Sequence, residues 1–372
     1  MNAAHGSYTL YGWELSLYSG KARSYLRHRG VRFVERAPNA WHIFVTIPRR
    51  TGARAMPAIV DPHGIWVQDT SAIIDHVEAR EGAAPLNPTT PRQRLASYLL
   101  ELWGDEFWLP VAMHMRWSHA ENYALFRDDA GRQALPGFPR LTQQALGAHL
   151  AGMMRAHLPK LGIAGHEALI DRWAAAQLDA LDRHFAAHPY LFGSRPSYGD
   201  YGLMGPLYAH LGRDPWPRRH VIEPRVHLSA WLARMQRALV EPGAYVADDA
   251  IVETLQPALR SVVDEMLPYL DATARAVEAY AGAAPRPDGR ALRVPRMLGR
   301  VAYPYAGATH QRCALPYGLW MLQRLRDMVA AMSPADSAQA IAWLRELGGA
   351  ALIERPLPSL RRDGLSIVLQ TP

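Results

Sequence analysis

The 372-residue sequence predicts an α/β domain at the amino terminus followed by an all-helical domain with extra helices. Three observations predict this fold class. Strand-like and helix-like segments alternate over roughly the first 80 residues, a proline-rich segment follows, and apolar residues then recur at the three- and four-residue spacing of amphipathic helices. We therefore predict an α/β domain at 7–82, a linker at 83–91, an all-helical domain at 92–240 and a mostly helical extension, packed on the second domain, at 241–372.

The first segments follow the order strand, helix, strand. Residues 8–17 are typical of a strand running into a turn, and residues 20–29 have apolar side chains at helical spacing. Gly30 is expected to end that helix, and a second strand is predicted at 31–36.

A connector, a hairpin and a helix complete the α/β domain. The apolar stretch 41–47 is ambiguous in type, and Pro48 is expected to end it. Two short strands then flank a tight turn at 61–64, and a helix is predicted to begin near Thr70 and to continue through Ala79.

Three prolines within nine residues mark the linker, and helical spacing dominates after it. A Pro/Gly-rich segment at 282–289 and an irregular or hairpin piece at 292–305 interrupt the helices. Helices are predicted at 92–116, 141–158, 166–188, 201–211, 228–239, 251–280, 315–332 and 335–347.

The charge distribution argues against a nucleic-acid partner. There are 41 basic and 34 acidic residues, but Lys21 and Lys160 are the only lysines, and the arginines are scattered instead of forming one patch. A mildly positive surface would still favour anionic small substrates.

The single cysteine, Cys313, excludes an internal disulfide, a cysteine-rich zinc site and CxxC redox chemistry. We expect it to be a small core residue, and we expect no metal site. No apolar run is long enough to span a bilayer, and the first residues lack the features of a secretory signal. These observations predict a cytoplasmic protein with no membrane partner.

The turn that leads into the first helix is a candidate anion site. Backbone amides at a helix start carry partial positive charge, and the hydroxyl of Ser16 can donate a hydrogen bond to a bound thiolate. Lowering a thiol pKa from about 8.5 to about 6.5 requires only about 2.7 kcal/mol. The alternative is that Ser16 or Ser19 merely caps the helix.

Two further segments carry possible binding groups. If the Met56–Pro57 peptide bond is cis, the backbone of Met56 can pair with an extended peptide ligand; a trans proline on an edge strand is the alternative. Asp69 or Thr70 either caps the following helix or recognises an amino-acid end group, with the helix start holding a carboxylate and Asp69 an ammonium.

Together these segments resemble the glutathione S-transferase family, whose thioredoxin-like amino-terminal domain precedes an all-helical domain. The family pattern S-P-Y-S-x-K-V-R matches residues 16–23, except that Leu17 replaces the proline and Ala22 the valine. The resemblance implies that Ser16 activates a thiol, with Ser19 and Tyr11 as fallbacks.

The same resemblance implies glutathione as the co-substrate, with no metal. The family's cis-proline motif falls on Met56 and Pro57, so that Met56 would pair with the cysteinyl backbone of glutathione. Asp69 and Thr70, with Gln68 adjacent, would hold the γ-glutamyl end.

A fourth match is the S-x-x-D capping box of the family's second domain, which falls on Ser197 and Asp200. The resemblance covers about residues 8–239, and the remaining chain exceeds the usual family length. Serine in place of cysteine at position 16 argues against the members that form mixed disulfides, because a hydroxyl stabilises a thiolate but cannot be one.

Other binding groups are less sharply indicated. The glycyl carboxylate of glutathione has four candidate partners with no basis for choosing among them: His42, Arg49, Arg50 and Arg54. A hydrophobic electrophile would suit the aromatic and methionine side chains just after the linker, although a buried helix uses the same residue types. These candidates are Trp103, Phe107, Trp108 and Met113.

The resemblance implies a glutathione transferase, as in detoxification, that activates the glutathione thiol for attack on a hydrophobic electrophile. The alternatives are a non-catalytic binding, stress or scaffold protein of the same fold, and a glutathione-dependent reductase or isomerase. Homodimers are usual in the family, but the extension could cover the usual interface.

Overall fold

A four-stranded mixed sheet forms the amino-terminal part of the protein, as seen in a computed structural model that describes residues 6–81, 84–238, 243–284 and 291–370. The strands are β1 (Tyr8–Tyr11), β2 (Phe33–Arg36), β3 (Ala58–Val60) and β4 (Trp66–Gln68), in the order β2-β1-β3-β4. β1 and β2 are parallel and the other pairs antiparallel, so the chain crosses from β1 to β2 through a helix, α1 (Leu17–Arg29). With α3 (Thr70–Glu81), this arrangement confirms the thioredoxin-like domain.

The ends of these elements follow from local chemistry. Gly30 adopts φ 73°, a left-handed conformation that favours glycine, and its amide bonds the carbonyl of Arg27, so α1 ends there as predicted. In the turn between β3 and β4, the Asp61 carboxylate accepts hydrogen bonds from the amides of His63 and Ile65, which fixes the predicted hairpin.

The connector differs from its prediction. Residues His42–Thr46 form a π-helical turn that runs directly into α2 (Ile47–Thr51). Pro48 therefore lies in the first turn of a helix, and the prediction that it ends the segment is wrong. A first-turn proline costs the helix little, because the amide that it lacks would have no intrahelical partner there.

Helices dominate the chain after the linker. The predicted helix at 92–116 is divided near Trp108, and the sequence did not predict the helix α6 (Ala120–Ala134). Their bounds are α4 (Pro91–Leu102), α5 (Leu109–Trp117), α6 (Ala120–Ala134), α7 (Arg140–Arg155), α8 (Glu167–Ala187), α9 (Tyr198–Pro206), α10 (Pro215–Pro217) and α11 (Val226–Met235). π-Helical turns at 103–107, 207–212 and 218–222 continue α4, α9 and α10.

In its described residues, the carboxy-terminal extension combines helices with five strands. The sequence predicted only an irregular or hairpin piece over 292–305, whereas a two-stranded hairpin and a separate three-stranded sheet are present. The hairpin is formed by β6 (Arg300–Tyr305) and β7 (Ala308–Cys313), and the sheet has β9 (Ser366–Leu369) between β5 (Leu292–Val294) and β8 (Leu360–Asp363). The elements are α12 (Gln256–Ser261), α13 (Leu267–Ala283), β5 (Leu292–Val294), β6 (Arg300–Tyr305), β7 (Ala308–Cys313), α14 (Tyr317–Ala330), α15 (Pro334–Glu346), α16 (Ala350–Glu354), β8 (Leu360–Asp363) and β9 (Ser366–Leu369).

The chain forms two compact units. Unit 1 comprises Met1–Leu86, Val111–Leu158 and Tyr201–Gly243; unit 2 comprises Asn87–Pro110, Pro159–Asp200 and Ala244–Pro372. In unit 2, α14 and α15 contact α4, and α12 contacts α8. The predicted domain limits stay predictions.

Parts of several predictions lie outside the described residues. These are the first linker residue (83), the boundary at 240/241, the end of the predicted helix 228–239 and most of the Pro/Gly-rich segment 282–289. A bilayer-spanning helix needs about twenty apolar residues, and none of the helices in the described ranges meets that requirement.

Candidate functional site

Three of the predicted binding segments start from one edge of the sheet in unit 1. Across the sheet Tyr11 pairs with Ala58, and Ala58 pairs with Gln68. The end of β1, the start of β3 and the end of β4 therefore lie side by side. The turn to Ser16, the Met56–Pro57 pair and the Asp69–Thr70 pair each leave the sheet at this edge.

Ser16 is the amino-terminal cap of α1. It has an extended backbone, with φ −89° and ψ 123°, and its Oγ accepts a hydrogen bond from the amide of Ser19 at 3.3 Å. The side chain is half-buried. Because this contact uses an oxygen lone pair, the hydroxyl hydrogen stays free to donate to a ligand at the helix start.

The two fallback residues are placed differently. Ser19 is completely buried, and its Oγ accepts from the amide of Trp13 at 3.3 Å. Tyr11 is buried at the end of β1, with its ring stacked on Trp66 at a centroid distance of 5.1 Å. Of the three residues, Ser16 is the least buried.

The Met56–Pro57 peptide bond is cis, so the structure has the first of the two conformations that the sequence left open. Met56 is half-buried, and Pro57 is buried immediately before β3. Gln68, the last residue of β4, is also buried.

Asp69 caps α3. Its Oδ1 accepts hydrogen bonds from the amides of Ser71 at 3.0 Å and Ala72 at 3.1 Å, and its own backbone has φ 90°. Thr70, the other possible cap, is the first helical residue and is buried. The Nζ of buried Lys21 in α1 donates to Ser71 Oγ at 3.2 Å, which ties the starts of α1 and α3 together.

The cationic candidates for a carboxylate lie in and beside the connector. The Nδ1 of His42 donates to Asn39 Oδ1 at 2.7 Å, and Arg54 lies over the ring of Phe44. Arg49 and Arg50 are exposed at the end of α2. These positions do not distinguish among the four candidates.

Sequence reasoning missed Arg116, which holds the turn before Ser16. Its Nη1 donates to the carbonyl of Leu15 at 2.7 Å, and Nη2 donates to that of Ala209 at 2.7 Å. Asp214 accepts from Nε at 2.6 Å and from Nη2 at 2.9 Å, and both charged side chains are buried. The signal in the sequence was a lone arginine inside an otherwise apolar helix, where a charge is rarely buried without a partner.

Three of the predicted substrate-contacting residues lie in the aromatic core of unit 2. Trp103, Phe107 and Trp108 are at most 1% exposed and surround Trp173, with ring centroids 5.0–6.0 Å from it. Met113 lies in unit 1 and is also buried. Their contacts are those of core side chains, and their role toward a substrate stays a prediction. In the described part of the chain, no group of three or more His, Cys, Asp or Glu side chains is arranged to hold a metal ion.

Comparison with known proteins gives one domain match. Residues 10–85 match the family model described as "Glutathione S-transferase, N-terminal domain". No curated protein sequence matches the chain.

Several solved structures are similar to parts of the chain at low identity. FzlA from C. crescentus is 19% identical over 65% of this chain and 97% of its own, with a TM-score of 0.39. The β-etherase LigF from Sphingobium sp. strain SYK-6 is 16% identical over 62% and 93%, with a TM-score of 0.39. A glutathione S-transferase from Methylobacterium radiotolerans, complexed with glutathione sulfonate, is 20% identical over 65% and 100%, with a TM-score of 0.36.

The domain match begins in β1 and ends just past α3, so it includes the end of β1, the other three strands and each of the three segments at the sheet edge. Residues 10–85 are therefore similar to the amino-terminal domain of the glutathione S-transferase family.

Proposed function

We propose that the chain is a glutathione transferase in which Ser16 stabilises the thiolate of bound glutathione for attack on a hydrophobic electrophile. The observation that carries this proposal is the half-buried hydroxyl of Ser16 at the start of α1, with a free hydrogen beside the helix-start amides. A hydrogen bond to an anion and the field of the helix end both favour the thiolate over the thiol.

The other segments at the same sheet edge supply a peptide-binding role. Met56 offers its backbone to the cysteinyl residue of glutathione, and the Asp69 carboxylate and the start of α3 take the γ-glutamyl ammonium and carboxylate. These contacts position the thiol next to Ser16, and holding the reactants in place contributes much of the rate of such a reaction. The electrophile reacts with the thiolate directly, so Ser16 is neither consumed nor covalently modified.

A non-catalytic glutathione-binding protein is the second candidate. It is favoured by the contact between Ser16 Oγ and the amide of Ser19, because a capping role alone accounts for a serine at this position. The two candidates differ in whether removal of the hydroxyl changes the ionisation of bound glutathione.

The experiment compares Ser16→Ala with Ser19→Ala, two variants that each delete one hydroxyl from the same helical turn. Glutathione is titrated into each protein, and ultraviolet thiolate absorbance is followed from about pH 5 to 9, around the free thiol pKa of about 8.5. We expect the wild type and Ser19→Ala to share a lowered thiol pKa, and Ser16→Ala to raise it toward the free value and to lose turnover with a model electrophile. Equal thiol pKa values in wild type and Ser16→Ala, with binding retained, favour the non-catalytic candidate.

A further inference from the structure

The hairpin of β6 and β7 in unit 2 carries four polar side chains that are almost completely buried. Tyr303 pairs with His310 across the hairpin, and Tyr305 and Arg312 lie two residues further along their own strands. Alternate residues of a strand share a face, so all four side chains are on one side of the hairpin. None of them is more than 2% exposed.

Arg312 carries a full charge into this cluster, and the Glu106 carboxylate acts on that charge without accepting a hydrogen bond from Nε or Nη2. Its guanidinium carbon lies 3.7 Å from the centroid of the Tyr269 ring and 5.3 Å from that of Phe107. Nη1 has one long hydrogen bond of 3.4 Å, to the carbonyl of Glu106. Nε and Nη2 are buried and have no acceptor among the residues that the structure describes.

Two other buried arginines each bind a carboxylate through the same two guanidinium nitrogens, Nε and Nη2. Arg116 donates from Nε and Nη2 to Asp214, and Arg23 donates from Nε and Nη2 to Glu35. A planar fork of this kind matches the two oxygens of a carboxylate. In Arg312 the same fork is buried, and no carboxylate oxygen in the described part of the chain accepts a hydrogen bond from it.

The neighbouring groups are neutral hydrogen-bonding groups. Within the described ranges, the hydroxyls of Tyr303 and Tyr305 have no hydrogen-bond partner, and His310 interacts with the backbone of Leu161. Burial raises the pKa of Tyr303 to about 12 and that of Tyr305 well above its usual value, and it lowers the pKa of His310 to about 4. At neutral pH the two hydroxyls therefore keep their protons, and His310 adds no charge.

A second carboxylate, Glu265, acts on the two tyrosines and has its own donors. Glu265 accepts hydrogen bonds from Trp173 Nε1 at 2.6 Å, from Ser261 Oγ at 2.6 Å and from the amide of Ala306 at 2.7 Å. None of these donors belongs to Arg312, so its Nε and Nη2 stay without an acceptor in the described residues.

We propose that the inner face of this hairpin binds a small monocarboxylate, with the Nε and Nη2 of Arg312 on its two oxygens and the hydroxyls of Tyr303 and Tyr305 as further donors. Buried charged donors without an acceptor are destabilising, and a bound carboxylate supplies the two acceptor oxygens that Nε and Nη2 lack. The near-complete burial of the four side chains limits the ligand to a small one, of the size of formate or acetate.

The test uses sodium formate as the probe on the intact protein. Thermal unfolding is measured at rising formate concentration and constant ionic strength, with sodium chloride and inorganic phosphate as parallel arms. We expect a saturable rise in melting temperature with formate that neither other anion reproduces, because binding to the folded state stabilises it. An equal rise with chloride overturns the carboxylate assignment, and no saturable rise overturns the site.

Two conservative variants test the same site without removing the charge. Tyr303→Phe and Tyr305→Phe each remove an unpartnered hydroxyl, so we expect each to raise the melting temperature in formate-free buffer and to weaken formate binding by about 10-fold or more. Tyr245→Phe, whose hydroxyl donates to the Pro196 carbonyl in the same unit, is the matched control and should leave formate binding unchanged. Wild-type formate binding in both hairpin variants overturns the proposed contacts.

Discussion

The Nη1 of Arg116 donates a hydrogen bond to the backbone carbonyl of Leu15, across 2.7 Å and one residue before Ser16. The same guanidinium group is bound by Asp214, and both side chains are buried in unit 1. The turn that carries the candidate thiol-activating hydroxyl is therefore held by a buried ion pair, so Arg116 is a positioning residue for Ser16.

Removing Arg116 should affect stability and thiol ionisation separately. We expect Arg116→Met to cost about 3–5 kcal/mol in the free energy of unfolding, because it leaves Asp214 charged and buried. The double variant Arg116→Met/Asp214→Leu should recover most of that stability but still raise the pKa of bound glutathione, since the Leu15 carbonyl has lost its donor. Urea denaturation and thiolate absorbance measure the two effects. A double variant with wild-type thiol pKa would contradict the positioning role.

Asp69 caps α3 with its carboxylate and has a left-handed backbone conformation. A substitution that keeps both features but removes the negative charge tests whether the charge binds glutathione. Asp69→Asn keeps an oxygen that accepts from the Ser71 and Ala72 amides and tolerates φ 90°, so we expect stability to change by less than about 0.5 kcal/mol. If the carboxylate holds the γ-glutamyl ammonium, glutathione affinity should fall about 10-fold or more. Calorimetric titration checks this expectation, and unchanged affinity would remove Asp69 from the binding site.

Buried His184 should make the protein less stable below neutral pH. Its Nδ1 contacts the Thr254 hydroxyl at 2.8 Å, its Nε2 contacts the Tyr190 carbonyl at 3.2 Å, and burial lowers its pKa to about 4. Above about pH 6.5 the ring is neutral in both the folded and the unfolded state. Between about pH 6.5 and pH 4 only the unfolded state binds the proton, so the free energy of unfolding falls as the pH is lowered, by up to about 1.4 kcal/mol per unit.

The variant His184→Gln isolates this effect. Between about pH 6 and 4.5 its free energy of unfolding should fall less steeply with decreasing pH than that of the wild type. The difference between the two slopes should be at most the slope that one histidine contributes. Urea denaturation at several pH values measures the difference. Parallel curves for the two proteins would rule out His184 as a source of acid sensitivity.

Glycines on α7 provide a stability test with an internal control. A Cβ on Gly147 would lie 1.9 Å from the Arg127 carbonyl oxygen of α6, whereas a Cβ on Gly152 of the same helix has nothing within 4 Å. We expect Gly147→Ala to destabilise the protein, because α6 and α7 must separate, and Gly152→Ala to stabilise it by about 0.5–1 kcal/mol. The melting temperatures of the two variants measure these effects. A shift of both melting temperatures in the same direction would contradict this packing.

The sequence was most informative where a local rule acts alone. The cap at Ser16, the stop at Gly30 and the Asp61 turn depend on residues within a few positions of one another, and each could be predicted. The Asp200 carboxylate likewise accepts from the Ser197 amide at 2.9 Å, as the capping pattern indicates.

Long-range partners could not be predicted in this way. Nothing near Arg116 in the sequence points to Leu15 or Asp214, each about a hundred positions away. The β6–β7 turn was missed for a different reason. Its two central residues, Ala306 and Gly307, both have positive φ, and alanine is a weak signal for a turn that usually takes asparagine or glycine.

The division of unit 2 into three stretches of chain has a consequence for biosynthesis. Helix α4 and the Trp103–Trp108 cluster leave the ribosome about 200 residues before Arg312, whose guanidinium lies over Phe107. At about 5–20 residues per second, Arg312 is synthesised about 10–40 s after Phe107. During that interval the nascent chain exposes aromatic side chains that the complete protein buries. We therefore expect chaperones to bind unit 2 while it is being synthesised. A gene truncated near residue 243 would encode these aromatic side chains without Arg312 and the other later residues of unit 2.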